Sequence, residues 1–199
     1  MKPLLKSLSF LIILICLQSF GQSNDIPFYD YNEVELSSSA VMPGSEGKPN
    51  PITIQGKVFE SDGVTPADGV IIYMYQHDEN GDFQFEDEND DKRLLHRTWI
   101  KTDEEGNYSF KTFVPGEAIV PLNYPRHYGP KQYYLVAKSG DSEEYMLPAF
   151  MFEDDELIGK SCKRRLKRKG LDILLSPESK DGVVIAEKNI ILPYSNSTK

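Results

Sequence analysis

From Ile52 onward, turn-forming residues interrupt the chain at intervals of roughly 8–12 residues, and the runs between them are short and rich in β-forming side chains. Ile52, Ile54 and Val58 alternate with Thr53, Gln55 and Lys57, the period of a strand with one buried face. Residues 70–75 (VIIYMY) are almost continuously apolar, which predicts a strand inside a sheet. Residues 82–85 and 97–101 predict two more. The turn Asp103-Glu104-Glu105-Gly106 precedes the alternating Tyr108, Phe110 and Thr112, which reads as a hairpin with 97–101. Residues 132–137 and 145–152 supply further strands, and 171–175 with 183–192 a closing strand pair around Asp181-Gly182. Residues 153–169 carry the signature of a helix. Asp154 and Asp155 stand at its start, bases crowd its end, and Gly170 stops it. The predicted fold is all-β, a sandwich or barrel with one short C-terminal helix.

The N-terminus has a different character. Lys2 and Lys6 precede an apolar run over residues 8–17, and Ser19 and Gly21 are small residues placed for a cut before Gln22. This predicts a signal peptide over 1–21 and export to the periplasm or beyond, since the run is shorter than the roughly 18–20 residues of a span. No transmembrane span is expected after cleavage. Residues 22–50, with Ser37-Ser38-Ser39 and Pro43-Gly44, read as a leader or linker, within which Ile26, Phe28, Tyr29 and Tyr31 form a candidate edge segment. The domain is expected over 51–193 and a tail over 194–199. Cleavage removes Cys16 and leaves Cys162 alone, so no intramolecular disulfide is expected.

Charge narrows the function classes. The formal net charge is −9 for the full chain, against a nucleic-acid binder. Without Lys2 and Lys6 the balance is 20 bases against 31 acids. It is also segregated: residues 78–91 hold eight acids and no base, residues 160–169 seven bases and no acid. Solvated surface explains both, and self-association through the two patches is the sharper reading. Asp78-x-Asn80-x-Asp82 hints at a calcium loop, but Phe83 and Asn89 stand where an EF-hand needs Gly and Glu. His77, His96 and His127 could form a site of their own with Tyr124 or Tyr134, but they are too dispersed for a local metal motif and read as rim or surface histidines. Nucleophile elbows and phosphate loops are absent from the sequence.

Three stretches together resemble the intradiol ring-cleavage dioxygenases, especially small secreted members from bacteria of the Bacteroidetes type. They are Gly56-Lys57-Val58 through Thr65-Pro66-Ala67-Asp68-Gly69-Val70 to Tyr73-Met74-Tyr75; residues 101–112 ending in Pro115-Gly116; and Phe150-Met151-Phe152-Glu153-Asp154-Asp155 with the basic helix and Glu187-Lys188-Asn189-Ile190-Ile191-Leu192. The resemblance covers about residues 52–193 and implies a prealbumin-like, intradiol-dioxygenase-like β-sandwich. It also implies one Fe(III) held by two tyrosinates and two histidines, a hard ion that phenolates stabilise in the ferric state.

At the positions where the resemblance places those ligands stand Phe83, Ala118, Gln132 and Tyr134. A gap brings Tyr124 toward the second. The expectation is a pseudoenzyme: an exported protein that has lost the ferric site, carries no cofactor and acts as a binding or structural module toward an extracytoplasmic ligand or protein. Tyr124, His127, Tyr133 and Tyr134, with Tyr128 nearby, are candidate lining for an aromatic pocket that takes a planar ring or a sugar. The competing expectation is a dioxygenase that opens catechol-type aromatic rings with an altered Fe(III) set of Tyr124, His127 and Tyr134.

Overall fold

The structure, a computed structural model, describes residues 36–88, 91–120, 127–140 and 142–193. The expected signal segment, the candidate edge segment 26–31, Tyr124 and the tail lie outside these residues.

Strand β2 (Pro51–Phe59) organises the first sheet. Ile52, Ile54 and Val58 are buried as the alternation predicts, while Thr53, Gln55 and Lys57 are half-buried. β2 runs antiparallel to β7 (Asn107–Phe113) and parallel to β14 (Val183–Glu187) and β15 (Ile190–Ile191). Gly56 permits the close approach at this junction. A Cβ there would lie 2.0 Å from the carbonyl oxygen of Lys188, which instead accepts a hydrogen bond from the Tyr108 hydroxyl at 2.5 Å. The Asn189 side-chain carbonyl accepts from the Lys57 amide, so Lys188 and Asn189 bridge the gap between β14 and β15.

The second sheet has five strands. β3 (Ile71–Gln76) is internal, as its apolar run predicts, between β10 (Gln132–Lys138) and β6 (Arg97–Lys101). β11 (Tyr145–Phe152) follows on the far side of β10, then the edge strand β12 (Leu174–Leu175). The core lies between the sheets, with Ile54 and Phe110 from the first and Ile72, Met74, Leu135 and Phe150 from the second. This is the predicted β-sandwich.

Several local expectations are corrected. The turn at 103–106 does not close a hairpin. β6 pairs with β3, and β7 pairs with β2, so the turn carries the chain from one sheet to the other. Ile100 and Phe110 both reach the core this way, each from its own sheet. Residues 82–84 form no strand, because Asp78 draws the Asp82 amide into a turn; β4 (Phe85–Glu88) pairs with β5 (Asp91–Leu94) instead. The helix is confined to Lys160–Arg168 with no acid in its first turn. Asp155 is committed elsewhere: its carboxylate accepts from the Leu157 and Lys131 amides, each at 2.8 Å. Gly170, at φ +66°, ends the helix as expected. The closing pair around Asp181-Gly182 is β14 with β13 (Glu178–Lys180), not with residues 171–175. Within the stretch read as leader, β1 (Ser39–Val41) adds in parallel to β7, and Met42 is buried in the core.

Candidate functional site

The turn after β3 is built on one carboxylate. Asp78 Oδ1 accepts from the amides of Asn80 (2.9 Å) and Asp82 (3.0 Å), and Oδ2 accepts from Gln84 Nε2 at 2.8 Å. Burial alone would raise this carboxyl; the Asp82 and Asn80 amides, the Gln84 amide and Lys48 together hold it below the ordinary carboxylate range. Both carboxylate oxygens of Asp78 are thus taken up in capping this turn. Among the described residues, no three His, Cys, Asp or Glu side chains group as a metal set.

Two glycines then lock this turn to the segment after β7. Gly81 has φ +89°, and a Cβ on it would lie 1.8 Å from the carbonyl oxygen of Glu117. A Cβ on Gly116 would lie 2.5 Å from the Gly81 nitrogen. Backbone meets backbone: the Gly116 amide donates to the Asp78 carbonyl at 2.8 Å, and the Ile119 amide to the Gly81 carbonyl at 3.2 Å. Phe83 and Ala118 thus sit on two interlocked loops. Ala118 begins β8 (Ala118–Val120), which pairs with β9 (His127–Gly129).

Strand alternation delivers the other two positions. Along β10 Tyr133 points into the core, so Gln132 and Tyr134 point to the opposite face, where Tyr134 is paired in register with Tyr75. There four rings assemble. Tyr134 stacks on Tyr75 with centroids 4.8 Å apart, and Phe83 lies 5.9 Å from Tyr134. His77 stacks on Phe83 at 4.0 Å and meets Tyr134 edge-on at 5.5 Å. Gln132 Nε2 donates to the Tyr134 hydroxyl at 2.5 Å. The structure therefore brings Phe83, Gln132 and Tyr134 into one cluster, with Ala118 on the loop that abuts it.

The electrostatics of the cluster favour neutral forms. Burial raises the Tyr134 phenol, only partly offset by Gln132, and burial with the nearby Tyr134 raises Tyr75. Burial lowers the His77 imidazole, partly offset by Asp78 and Asp82. His77 Nδ1 is buried without a hydrogen-bond partner. The donors on offer are protonated phenols, an amide and one neutral imidazole packed face-on against a phenyl ring. Phe83 and Ala118 contribute carbon alone. This set does not fit an Fe(III) held by two tyrosinates and two histidines.

The remaining candidates are dispersed. Tyr133 is 0% exposed in the core, where its hydroxyl donates to the Phe113 carbonyl, so it faces no pocket. His127 and Tyr128 are exposed on β9. His77 and His96 are buried rather than on the rim; His96 Nδ1 is 3.0 Å from the Pro43 carbonyl oxygen. Sequence reasoning missed Tyr75 as a member of the site; it named His77 beside Tyr134 but read it as a rim histidine rather than a buried ring of the cluster. The available signal was phase: Ile72, Met74 and Gln76 alternate with Tyr73, Tyr75 and His77, which assigns the aromatics to one face.

Comparison with known proteins bears on this arrangement. A family model described as Dioxygenase matches residues 26–158. Curated proteins gave no significant match. Among solved structures, 3-chlorocatechol 1,2-dioxygenase from Rhodococcus opacus 1CP superposes with a TM-score of 0.61 at 20% identity, over 81% of this chain and 68% of that one. Catechol 1,2-dioxygenase from Pseudomonas arvilla C-1 gives 0.62 at 14% identity, over 83% and 60%. The dioxygenase domain of a dioxygenase carbohydrate-binding protein fusion from Streptomyces sp. SirexAA-E gives 0.54 at 17% identity, over 82% and 96%. At these identities the structural likeness is one of fold.

Proposed function

This chain belongs to the intradiol dioxygenase family, and from that membership we propose that it is an exported member that has lost the ferric site and acts as a binding or structural module outside the cytoplasm. One observation carries the reading. Of the residues that the resemblance sets at the four ligand positions, Phe83, Gln132 and Tyr134 are spent on contacts within one cluster with Tyr75 and His77, and Ala118 has only a methyl group to offer. A ferric site would need an oxygen where Phe83 stacks on His77. It would also need a donor atom at Ala118, which offers carbon alone.

Export rests on the basic, apolar and small-residue sequence of 1–21. No helix among the described residues is long and apolar enough to cross a membrane. The exported product should begin at Gln22, which N-terminal sequencing reads.

Oxygen consumption tests the catalytic half of the reading. Purified protein supplied with iron should consume no oxygen with catechol or protocatechuate. Turnover of either, abolished by Tyr134→Phe, would establish the competing enzyme.

A further inference from the structure

Away from the aromatic cluster the sandwich has an open edge. There Leu135, Leu147, Phe150, Ile173 and Ile190 line a cavity of about 310 Å³ between the β10–β11–β12 side of one sheet and β15 of the other. All five are buried, yet the cavity is open to solvent, and one side of its lining comes to the surface at Gly170 and Asp172, with Leu171 between them. The same three residues border an adjoining groove that carries Lys163, Lys167 and Lys188.

The charge there is lopsided. Residues 160–169 hold seven bases and no acid in a chain of net charge −9. The helix buries none of its residues. Among the described residues no carboxylate lies within ion-pair distance of Lys163 or Lys167. Two acids do border the groove. Asp172 is held by Lys188 at 2.7 Å, and Glu153 accepts from the Ser176 hydroxyl at 2.6 Å. Lys188 offsets Asp172 while Glu153 keeps its charge, so the groove's three lysines exceed its two carboxylates by one, and neither carboxylate pairs with Lys163 or Lys167. An apolar slot that opens onto ammonium groups without ion-pair partners is complementary to a molecule with an apolar tail and an anionic head.

The geometry points to a binding site for a single-chain anionic amphiphile of the fatty-acid type, with the acyl chain in the slot and the carboxylate at Lys163 and Lys167. The inference deepens the binding role proposed above by naming a ligand class. It shares no residue with the aromatic cluster, so its failure and the discovery of iron there would be separate results.

Titration calorimetry of the purified protein with octanoate, decanoate and dodecanoate, and with the matching alcohols, tests it. Burial of each methylene should tighten binding about fourfold, hence roughly fifteenfold from octanoate to decanoate, until the slot is full. The double substitution Lys163→Gln, Lys167→Gln should weaken the carboxylates about tenfold and leave the alcohols unchanged. Ile191→Glu, at a lining position 59% exposed and therefore tolerant of change, should weaken the carboxylates without unfolding the domain. Affinity independent of chain length would overturn the proposal, because the bases alone would then be acting. So would equal carboxylate binding by the lysine variant, or no binding of any member of the series.

Discussion

His77 and Phe83 form a stacked pair, with ring centroids 4.0 Å apart and planes 28° from parallel. The contact occupies the position at which the family resemblance places a phenolate oxygen, and ring packs against ring instead. Tyr134 closes the pair from the side, and Tyr75 extends it along the face of β3 and β10.

The stack should be visible in stability. Phe83 is 37% exposed, so Phe83→Ala forfeits part of a side-chain burial together with its ring contacts. The expected cost is about 1–2 kcal/mol in urea unfolding. Phe83→Tyr should stay within about 0.5 kcal/mol of the wild type, since the ring is kept at a position that is already part-exposed.

His77 should make the fold acid-sensitive. Its folded imidazole is harder to protonate than the unfolded one, because burial outweighs Asp78 and Asp82. The unfolded chain therefore binds the proton first. This contribution to stability is complete above about pH 6.5 and is lost as pH falls from there toward the depressed folded value. Urea midpoints measured across that range should fall on acidification, and His77→Leu should flatten the slope. An unchanged slope in the variant would contradict the assignment.

Gly81 tests the loop lock. Ala at Gly81 meets both a left-handed backbone and the Glu117 carbonyl oxygen, whereas Ala at Gly140, at φ +53°, meets no atom within 4 Å. Gly81→Ala should cost more than about 2 kcal/mol and Gly140→Ala about 1 kcal/mol. Equal costs would mean that the interlocked loops contribute nothing beyond backbone conformation.

These tests also mark what was legible in the sequence. Alternation exposed β2 and β7, because period two records which face meets the core, and an unbroken apolar run exposed β3 as an internal strand. Neither exposed pairing. A turn such as Asp103-Glu104-Glu105-Gly106 has the same chemistry whether it closes a hairpin or crosses between sheets. The acids at 154 and 155 imitated a helix start; Asp155 in fact ties two amides, one of them from Lys131, more than twenty residues away in sequence. At the site, the positions taken from the family resemblance, Phe83, Gln132 and Tyr134, lie in one cluster, but the packing of His77 on Phe83 depends on a three-dimensional register that no sequence motif encodes.

Tyr133 and Tyr134 are neighbours with opposite roles. Tyr133→Phe should cost about 1 kcal/mol by leaving the Phe113 carbonyl short of one donor, with no effect on any ligand. Tyr134→Phe removes an oxygen from the outer cluster and leaves the core intact. Thermal melts of the two variants separate them: a larger loss for Tyr134→Phe would place the structural hydroxyl on the wrong residue.

The central claim is that the four positions no longer hold iron. Its most direct test is iron content per chain after incubation with Fe(III) and removal of loosely bound metal. The account predicts far less than one iron per chain and no visible phenolate-to-Fe(III) absorption. One iron per chain with that colour, lost in Tyr134→Phe, would contradict it.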